Sequence, residues 1–228
     1  MPKEHRGDTA AIPSVGAVFI EYSAVNEIED VPDVSADWYR AITDLAASAP
    51  PWVQAAAPLA TQAILLVFGA LLAAACWRAR RGALGPALLA PVATGLAYVA
   101  SEVLKAFLRE DRPCRVVPRI SRTLAECPEY GDWSLPSNHA TIAAAAAVAL
   151  SVAWRRLVGV VVLLALVEGF SRVFVGVHYP HDVVVGALLG GFVAGVVMGV
   201  GGGLVPVVRW ARGFWGPRRP QTPGRSPG

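Results

Sequence analysis

The chain has 228 residues, of which 54% are hydrophobic and only 16% are charged, with a mean hydropathy of +0.47. Soluble domains carry about 25% charged residues, so this composition excludes an ordinary soluble globule, and it is far too apolar for a disordered chain. The net charge of +3 is too small to indicate a nucleic-acid-binding protein.

The N-terminal segment, residues 1–36, is acidic, and we expect a flexible tail there. Its apolar stretch at 10–20 contains Pro13 and is followed by no cleavage-like site, so no secretory signal peptide is predicted. Residues 37–48 predict a short amphipathic helix, in which Trp38 and Tyr39 suit a membrane interface. A simple turn before the membrane is the alternative.

Five charge-poor stretches predict membrane-spanning helices. They lie near residues 55–77, 83–106, 138–154, 157–177 and 183–208. A spanning helix needs about 20 apolar residues, and the third stretch is the shortest. The fifth carries Gly186, Gly190, Gly191, Gly195 and Gly199. The last three are spaced by four and form a smooth stripe that we expect to pack in the core rather than to form a dimer seam. The predicted fold is an all-α polytopic membrane helix bundle of about five spans with an N-terminal interfacial helix.

Basic clusters follow the first, third and fifth spans. They comprise Arg78, Arg80, Arg81, Arg155, Arg156, Arg209, Arg212, Arg218 and Arg219. Short basic loops stay in the cytoplasm, so the C-terminus is predicted inside and the loops 107–137 and 177–182 outside. Cys114 and Cys127 pair if the first of these loops faces an oxidising compartment, and free thiols are equally open. The membrane-embedded domain is expected at 37–212, followed by a disordered basic tail at 213–228.

Positively charged side chains gather at the predicted outer edge. Lys105, Arg112 and Arg172 offer three cationic centres, and the guanidinium forks match a tetrahedral phosphate. Ser137 occupies an N-cap position, so the amides of Asn138 and His139 point toward the same anion at a helix N-terminus. The sequence therefore predicts an oxyanion site.

Two histidines supply reactive groups at the same edge. His178 lies four residues before Asp182, with Pro180 at a fitting helix start, and the carboxylate would hold the imidazole in one tautomer. His178 would then be free to attack phosphorus, and His139 would protonate the leaving oxygen. The sequence has no zinc-spaced Cys and His cluster and no carboxylate set for two metals, so the predicted chemistry uses no metal and no cofactor.

Three motifs in this order resemble those of the type 2 phosphatidic acid phosphatase (PAP2) superfamily, which includes membrane lipid phosphatases and vanadium haloperoxidases. They are Lys105 with Arg112-Pro113, the tetrad Pro136-Ser137-Asn138-His139, and Ser171-Arg172 with His178 and Asp182. The resemblance implies an acid phosphatase/haloperoxidase-like core. It also implies that Lys105, Arg112, Ser137 and Arg172 bind phosphate, with His178 as nucleophile, Asp182 as its partner and His139 as general acid.

Four residues around these motifs carry further expectations. Asn138 stands where the family usually has Gly, and its side chain could contact a second phosphate or a sugar. Glu102 and Glu168 share helix faces with Lys105 and Arg172, so we expect them to support these cations. His181 either lines the mouth of the pocket or begins a helix in solvent.

The resemblance implies a membrane lipid phosphatase that forms a phosphohistidine. The first expected substrate is a polyprenyl diphosphate, undecaprenyl or decaprenyl, because the tetrad is similar to that of bacterial polyprenyl diphosphate phosphatases. It would be hydrolysed to the monophosphate at the extracytoplasmic face of the cell membrane, which recycles a cell-wall carrier lipid. Phosphatidic acid, phosphatidylglycerol phosphate and a polyprenyl-phosphoryl sugar phosphate remain open. A vanadate-dependent haloperoxidase and a non-catalytic transporter or scaffold are weaker alternatives. The expected partners are the lipid substrate and the bilayer, with no nucleic acid, and the sequence does not fix the oligomeric state.

Overall fold

The computed structural model describes residues 32–79, 84–118, 120 and 122–215, with side chains described except at residue 84 and beyond residue 201. Both predicted tails lie largely outside these residues. Within them the chain forms helices and no strand. The helices are α1 (Asp33–Ser48), α2 (Pro51–Ala79), α3 (Leu84–Leu108), α4 (Pro113–Val116), α5 (Asn138–Ala153), α6 (Val158–Phe174) and α7 (Pro180–Trp215), with a 3-10 turn at Arg155–Leu157.

Four helical segments are long and apolar enough to cross a membrane. They are Pro51–Ala79, Gly85–Val116, Arg155–Phe174 and Pro180–Gly201. Helix α5 is also apolar but has 16 residues. At 1.5 Å per residue it is about 24 Å long, shorter than a hydrocarbon core of about 30 Å. The predicted all-α membrane bundle is confirmed, with its third stretch the shortest.

Helix α5 lies at the centre of the bundle and packs against α2, α3, α6 and α7. Its buried side chains are mostly alanine, with Leu150 among the larger ones, and such small side chains let neighbouring helices approach closely. One core cluster joins Leu150 to Phe68 and Val161, and a second joins alanines of α3 and α5 to Met198. This packing fixes the position of α5, and with it the N-terminus of the helix at Asn138.

Two glycines of α7, Gly186 and Gly190, lie close against the first turns of α5. A Cβ at Gly186 would lie 2.6 Å from the carbonyl oxygen of Ser137, and one at Gly190 would collide with the Thr141 carbonyl. At Gly195 and Gly199 a Cβ would meet nothing within 4 Å. The prediction that the Gly191, Gly195 and Gly199 stripe packs in the core was therefore wrong for Gly195 and Gly199, because a spacing of four does not say which helix face is buried. Gly191 is half-buried, and a Cβ there would lie 3.9 Å from Val148 Cγ2.

Helix α1 begins at Asp33, four residues before the predicted start at 37. Trp38 is exposed, as an interfacial residue would be, but Tyr39 is fully buried. The Tyr39 hydroxyl donates to the Gly176 carbonyl at 2.8 Å, and its ring centroid lies 5.6 Å from that of Tyr179. The predicted interfacial position of Tyr39 was wrong, because this side chain anchors α1 to the α6–α7 connection.

Candidate active site

Helix ends and loops bring the predicted site residues to one end of the bundle. Lys105 lies in the last turn of α3, and Arg172 lies in the last turn of α6. Ser137 is the N-cap residue of α5, and its amide donates to the Asp182 carbonyl at 3.1 Å. Helix α7 begins at Pro180 as predicted, which places Asp182 in its first turn. Neighbouring helix termini thus face a common centre.

The imidazole of His178 is held from both sides. Its Nδ1 lies 3.1 Å from Asp182 Oδ2, and this oxygen also accepts hydrogen bonds from Ser134 Oγ at 2.6 Å and the Tyr179 amide at 2.8 Å. Since the carboxylate accepts, Nδ1 carries the proton. His178 Nε2 lies 3.1 Å from Arg112 Nη1, which donates to it. The lone pair on Nε2 therefore points toward the cationic side of the site.

Burial and neighbouring charge keep this imidazole neutral. Burial, followed by the positive charges of Arg112, Arg172 and Lys105, lowers the pKa of His178 well below its ordinary value. A neutral imidazole whose Nδ1–H is fixed by a carboxylate presents Nε2 as a nucleophile or base.

Lys105, Arg112 and Arg172 form a set that we call the cation clamp. Arg112 is fixed by hydrogen bonds from Nε to the Asp132 carbonyl at 2.7 Å and from Nη1 to the Val177 carbonyl at 3.0 Å. Asp132 Oδ1 lies 3.1 Å from Lys105 Nζ and 2.8 Å from Arg112 Nη2. Burial raises the pKa of Asp132, but Arg112 and Lys105 outweigh it and hold the pKa below its usual range.

Glu102 and Asn138 lie beside Lys105. The Asn138 amide donates to Glu102 Oε1 at 2.5 Å, and its oxygen accepts from Ser101 Oγ at 2.6 Å. Glu102 Oε1 lies 3.9 Å from Lys105 Nζ. The carboxylate thus contacts its predicted partner. Both polar atoms of the Asn138 side chain thus bond to residues of α3. Its contact with phosphate or sugar remains a prediction.

Arg172 is supported through a threonine. Its Nη1 donates to Thr61 Oγ1 at 3.2 Å, and the Thr61 hydroxyl donates to Glu168 Oε1 at 2.8 Å. All three residues are buried. The predicted support of Arg172 by Glu168 therefore runs through Thr61 of α2.

Five buried polar atoms of predicted site residues have no hydrogen-bond partner in the described part of the chain. They are Ser137 Oγ, His139 Nε2, Glu168 Oε2, Arg172 Nε and Asp182 Oδ1. Ser137 occupies the predicted N-cap position, but its hydroxyl does not cap α5. Because unpaired buried polar groups are costly, these atoms are suited to a ligand that carries several acceptor and donor oxygens.

His181 is half-buried between α1 and the site rather than exposed at a helix start. Its Nδ1 lies 2.7 Å from Ser35 Oγ, and its Nε2 lies 2.8 Å from Glu110 Oε1 and 3.4 Å from Asp182 Oδ1. The solvent-exposed alternative was wrong, because α1 covers this turn. Glu110, His181 and Asp182 have ligand atoms within 4.8 Å of one another, a spacing compatible with a metal ion. The imidazole already bonds to Glu110.

The loop after α4 is closed by a disulfide between Cys114 and Cys127. This resolves the pairing that the sequence left open. The Arg115 guanidinium donates to the Pro128 carbonyl and stacks over the Tyr130 ring, 4.1 Å from its centroid. These contacts hold the loop that carries Asp132 against the site.

A model of the PAP2 superfamily matches residues 86–203, which is more than half of the chain and includes every site residue predicted from the sequence. The chain belongs to the PAP2 superfamily. Two solved structures share its fold. Aquifex aeolicus LpxE aligns with a TM-score of 0.58 and 23% identity over 75% of this chain and 98% of that one. The phosphatidylglycerolphosphate phosphatase of Bacillus subtilis aligns with a TM-score of 0.58 and 21% identity over 83% and 96%.

Two curated relatives are similar to parts of this PAP2 chain. The undecaprenyl-diphosphatase of Sulfolobus acidocaldarius is 37% identical over 102 residues, 43% of this chain and 47% of that one. The decaprenylphosphoryl-5-phosphoribose phosphatase of Mycobacterium tuberculosis is 36% identical over 118 residues, 51% of this chain and 62% of that one. The match thus spans about half to three fifths of these relatives.

Several residues that build this PAP2 site were missed in the sequence. Ser134 precedes the second motif by two residues, and Thr61 lies in an apolar helix, where a polar residue signals a buried partner. Asp132 lies between the first and second motifs and belongs to neither. Ser35 and Glu110 gave no signal, because their contact with His181 depends on how α1 packs.

Proposed function

We propose that this protein is an integral membrane lipid phosphatase that works through a phosphohistidine on His178. The observation that carries the proposal is the neutral imidazole with Nδ1 on Asp182 and Nε2 on Arg112, in the middle of the cation clamp. The cation clamp would neutralise the phosphoryl oxygens, and the Ser137 hydroxyl would donate to one of them. Nucleophilic catalysis then divides hydrolysis into two easier displacements.

In the first step His178 Nε2 attacks phosphorus, an N–P bond forms and the P–O bond to the alcohol or phosphate leaving group breaks. His139, whose Nε2 is buried without a protein partner in the described residues, gives its proton to the leaving oxygen. In the second step His139 takes a proton from water, the water oxygen attacks phosphorus and the N–P bond breaks. Inorganic phosphate leaves, and His178 and His139 return to their starting states.

A groove on the side of the bundle supports a lipid substrate. It has a volume of about 350 Å³, and its lining includes Ala140, Ala144, Val162, Leu166, Val183 and Ala187. Ala140 follows His139 and Val183 follows Asp182, so the groove begins beside the site and runs along α5, α6 and α7 toward the middle of the membrane. A hydrocarbon chain that enters sideways would bury its apolar surface there.

We propose that the site faces outward and that the C-terminus is cytoplasmic. The Cys114–Cys127 disulfide favours an oxidising compartment for the loop beside the site. At the other end of the bundle, Arg78 stacks on Trp154 next to Arg155 and Arg156, a basic edge typical of the cytoplasmic side. A membrane-impermeant thiol reagent tests this in intact cells. After reduction it should label Cys114 and Cys127 from outside, and labelling only after lysis would invert the orientation.

For the substrate we propose a polyprenyl diphosphate that is cleaved to the monophosphate. The similarity to the undecaprenyl-diphosphatase of Sulfolobus acidocaldarius supports this proposal. A polyprenyl-phosphoryl sugar phosphate is the second candidate, because the mycobacterial decaprenylphosphoryl-5-phosphoribose phosphatase aligns over more of this chain than the Sulfolobus relative does.

The test is phosphate release in detergent from pure undecaprenyl diphosphate, a decaprenyl-phosphoryl sugar phosphate, phosphatidylglycerol phosphate and phosphatidic acid. We expect the first to be hydrolysed with the highest kcat/KM. We expect activity to survive EDTA and to be lost in His178→Ala. Hydrolysis of none of the four by folded wild-type protein contradicts the function, and full activity in His178→Ala contradicts the assigned nucleophile.

A further inference from the structure

We propose that the carboxylate of Asp132 occupies part of the cation clamp and competes with the phosphoryl group for it, which lowers the affinity of the site for phosphate. The inference rests on the proposed function, since it concerns the affinity of the same site for phosphoryl groups. It assigns a role to a residue outside the three sequence motifs.

The side chain of Asp132 sits where an anion is expected. Its Oδ1 lies 2.8 Å from Arg112 Nη2 and 3.1 Å from Lys105 Nζ, so one oxygen bridges two cations of the cation clamp. Charge-assisted contacts of this length are the ones that a phosphate oxygen would make with the same donors. An entering phosphoryl group must therefore displace this carboxylate or share its cations.

The main chain of Asp132 has a separate task. Its carbonyl accepts a hydrogen bond from Arg112 Nε at 2.7 Å, which fixes the guanidinium independently of the carboxylate. A second guanidinium nitrogen, Nη1, is held by the Val177 carbonyl. A substitution that keeps the backbone but removes the charge thus leaves Arg112 anchored and frees only the donors that face Oδ1.

The Asp132 carboxylate lies at the solvent side of the site, as the exposure of the three side chains shows. The side chains of Lys105 and Arg112 are 6% and 3% exposed, whereas that of Asp132 is 49% exposed. Asp132 follows Gly131, whose φ of +93° is unfavourable for other residues, and Tyr130, which is largely exposed. The loop therefore presents the carboxylate from the solvent side onto cations that lie deeper.

The competition has a defined kinetic signature. If the carboxylate must leave before phosphate binds, the apparent Ki of inorganic phosphate and the KM of the substrate rise by a common factor. Loss of the charge would lower both. If Asp132 instead served only to align Lys105 and Arg112, loss of the charge would weaken phosphate binding. The two roles thus predict opposite signs.

The test compares Asp132→Asn with the wild-type protein in detergent, with inorganic phosphate as the probe. We expect the Ki of phosphate to fall about tenfold, which corresponds to about 1.4 kcal/mol. Asp132→Ser should also lower the Ki of phosphate. Because serine has no amide group, this second variant shows whether the new amide of Asp132→Asn itself disturbs phosphate binding. The matched control is Glu129→Gln, which removes an exposed charge from the same loop. Its Ki should stay within twofold of the wild-type value.

An unchanged or increased Ki in folded Asp132→Asn and Asp132→Ser proteins would overturn the proposal. An equal decrease in Glu129→Gln would also overturn it, because the effect would then be one of general charge. Phosphate binding by calorimetry in the absence of substrate repeats the comparison without turnover. This measurement separates the proposed phosphatase function from the proposed competition by Asp132. Even if no phosphatase activity were found, calorimetry would still show whether loss of the Asp132 charge strengthens phosphate binding.

Discussion

Ser134→Ala offers a sharp test of how the site positions its nucleophile. Ser134 and Asp182 are fully buried, and the hydroxyl donates to Asp182 Oδ2 at 2.6 Å. The same oxygen faces His178 Nδ1. Removing the hydroxyl should let the carboxylate move and loosen its hold on the imidazole, while the cation clamp keeps its contacts. We therefore expect kcat to fall and KM to change little.

The size of the effect follows from the remaining contacts. A hydrogen bond to a charged group contributes about 1.5–3 kcal/mol. Asp182 Oδ2 keeps the Tyr179 amide at 2.8 Å, which limits its movement. We therefore take the lower end, about 1.5 kcal/mol, which corresponds to about a tenfold loss of kcat.

The assay is steady-state phosphate release by purified protein in detergent, with Ser151→Ala as the matched control. Ser151 also loses a hydroxyl, but this hydroxyl bonds only to the Ala147 carbonyl of its own helix in the structure. In an Asp182→Asn background, Ser134→Ala should have little further effect, since the two residues act through one contact. Full additivity of the two losses, or an increase in KM with kcat unchanged, would refute the reasoning.

Three further predictions concern stability and pH. Thr61→Val removes the link between Arg172 and Glu168 at a cost of about 1–3 kcal/mol, so thermal unfolding in detergent should begin several degrees lower. Thr94→Val, which loses only a bond within α3, should not shift it, and equal shifts would contradict the link. Gly186→Ala should lower both unfolding temperature and activity, because its Cβ would press on the Ser137 carbonyl, whereas Gly195→Ala should be neutral. The lowered pKa of His178, caused first by burial and then by Arg112, should place the acidic limb of kcat/KM well below pH 6.5 once the ionisation of the substrate phosphate is subtracted. We expect kcat/KM to fall as the pH is lowered through the pKa of His178, because protonation removes the attacking lone pair. An acidic limb at the ordinary histidine pKa would contradict this prediction.

The sequence was most informative where local spacing determines contact. His178 and Asp182 are four residues apart around a helix start, and their contact follows from that geometry. The helix bundle followed from charge-free stretches, since a span is a property of one continuous segment.

Contacts between distant segments were beyond the sequence. Thr61 meets Glu168 across 107 residues and Ser35 meets His181 across 146, so these contacts depend on which helix faces pack together. The packing of helix faces also decides that Tyr39 is buried, and that Gly186 rather than Gly195 lies against a neighbouring helix. The motifs thus indicated which residues to expect, whereas tertiary packing determined which neighbours support them.

The most direct test of the account is to look for the phosphoryl group on the protein. Full-length protein mixed with labelled lipid substrate is quenched with alkali within the first turnover, and peptides are examined by mass spectrometry. We predict a phosphohistidine at His178, increased in His139→Ala if the second displacement slows more than the first, and absent from His178→Ala. Turnover by wild-type protein with the label on another residue, or undiminished turnover in His178→Ala, would contradict the central claim.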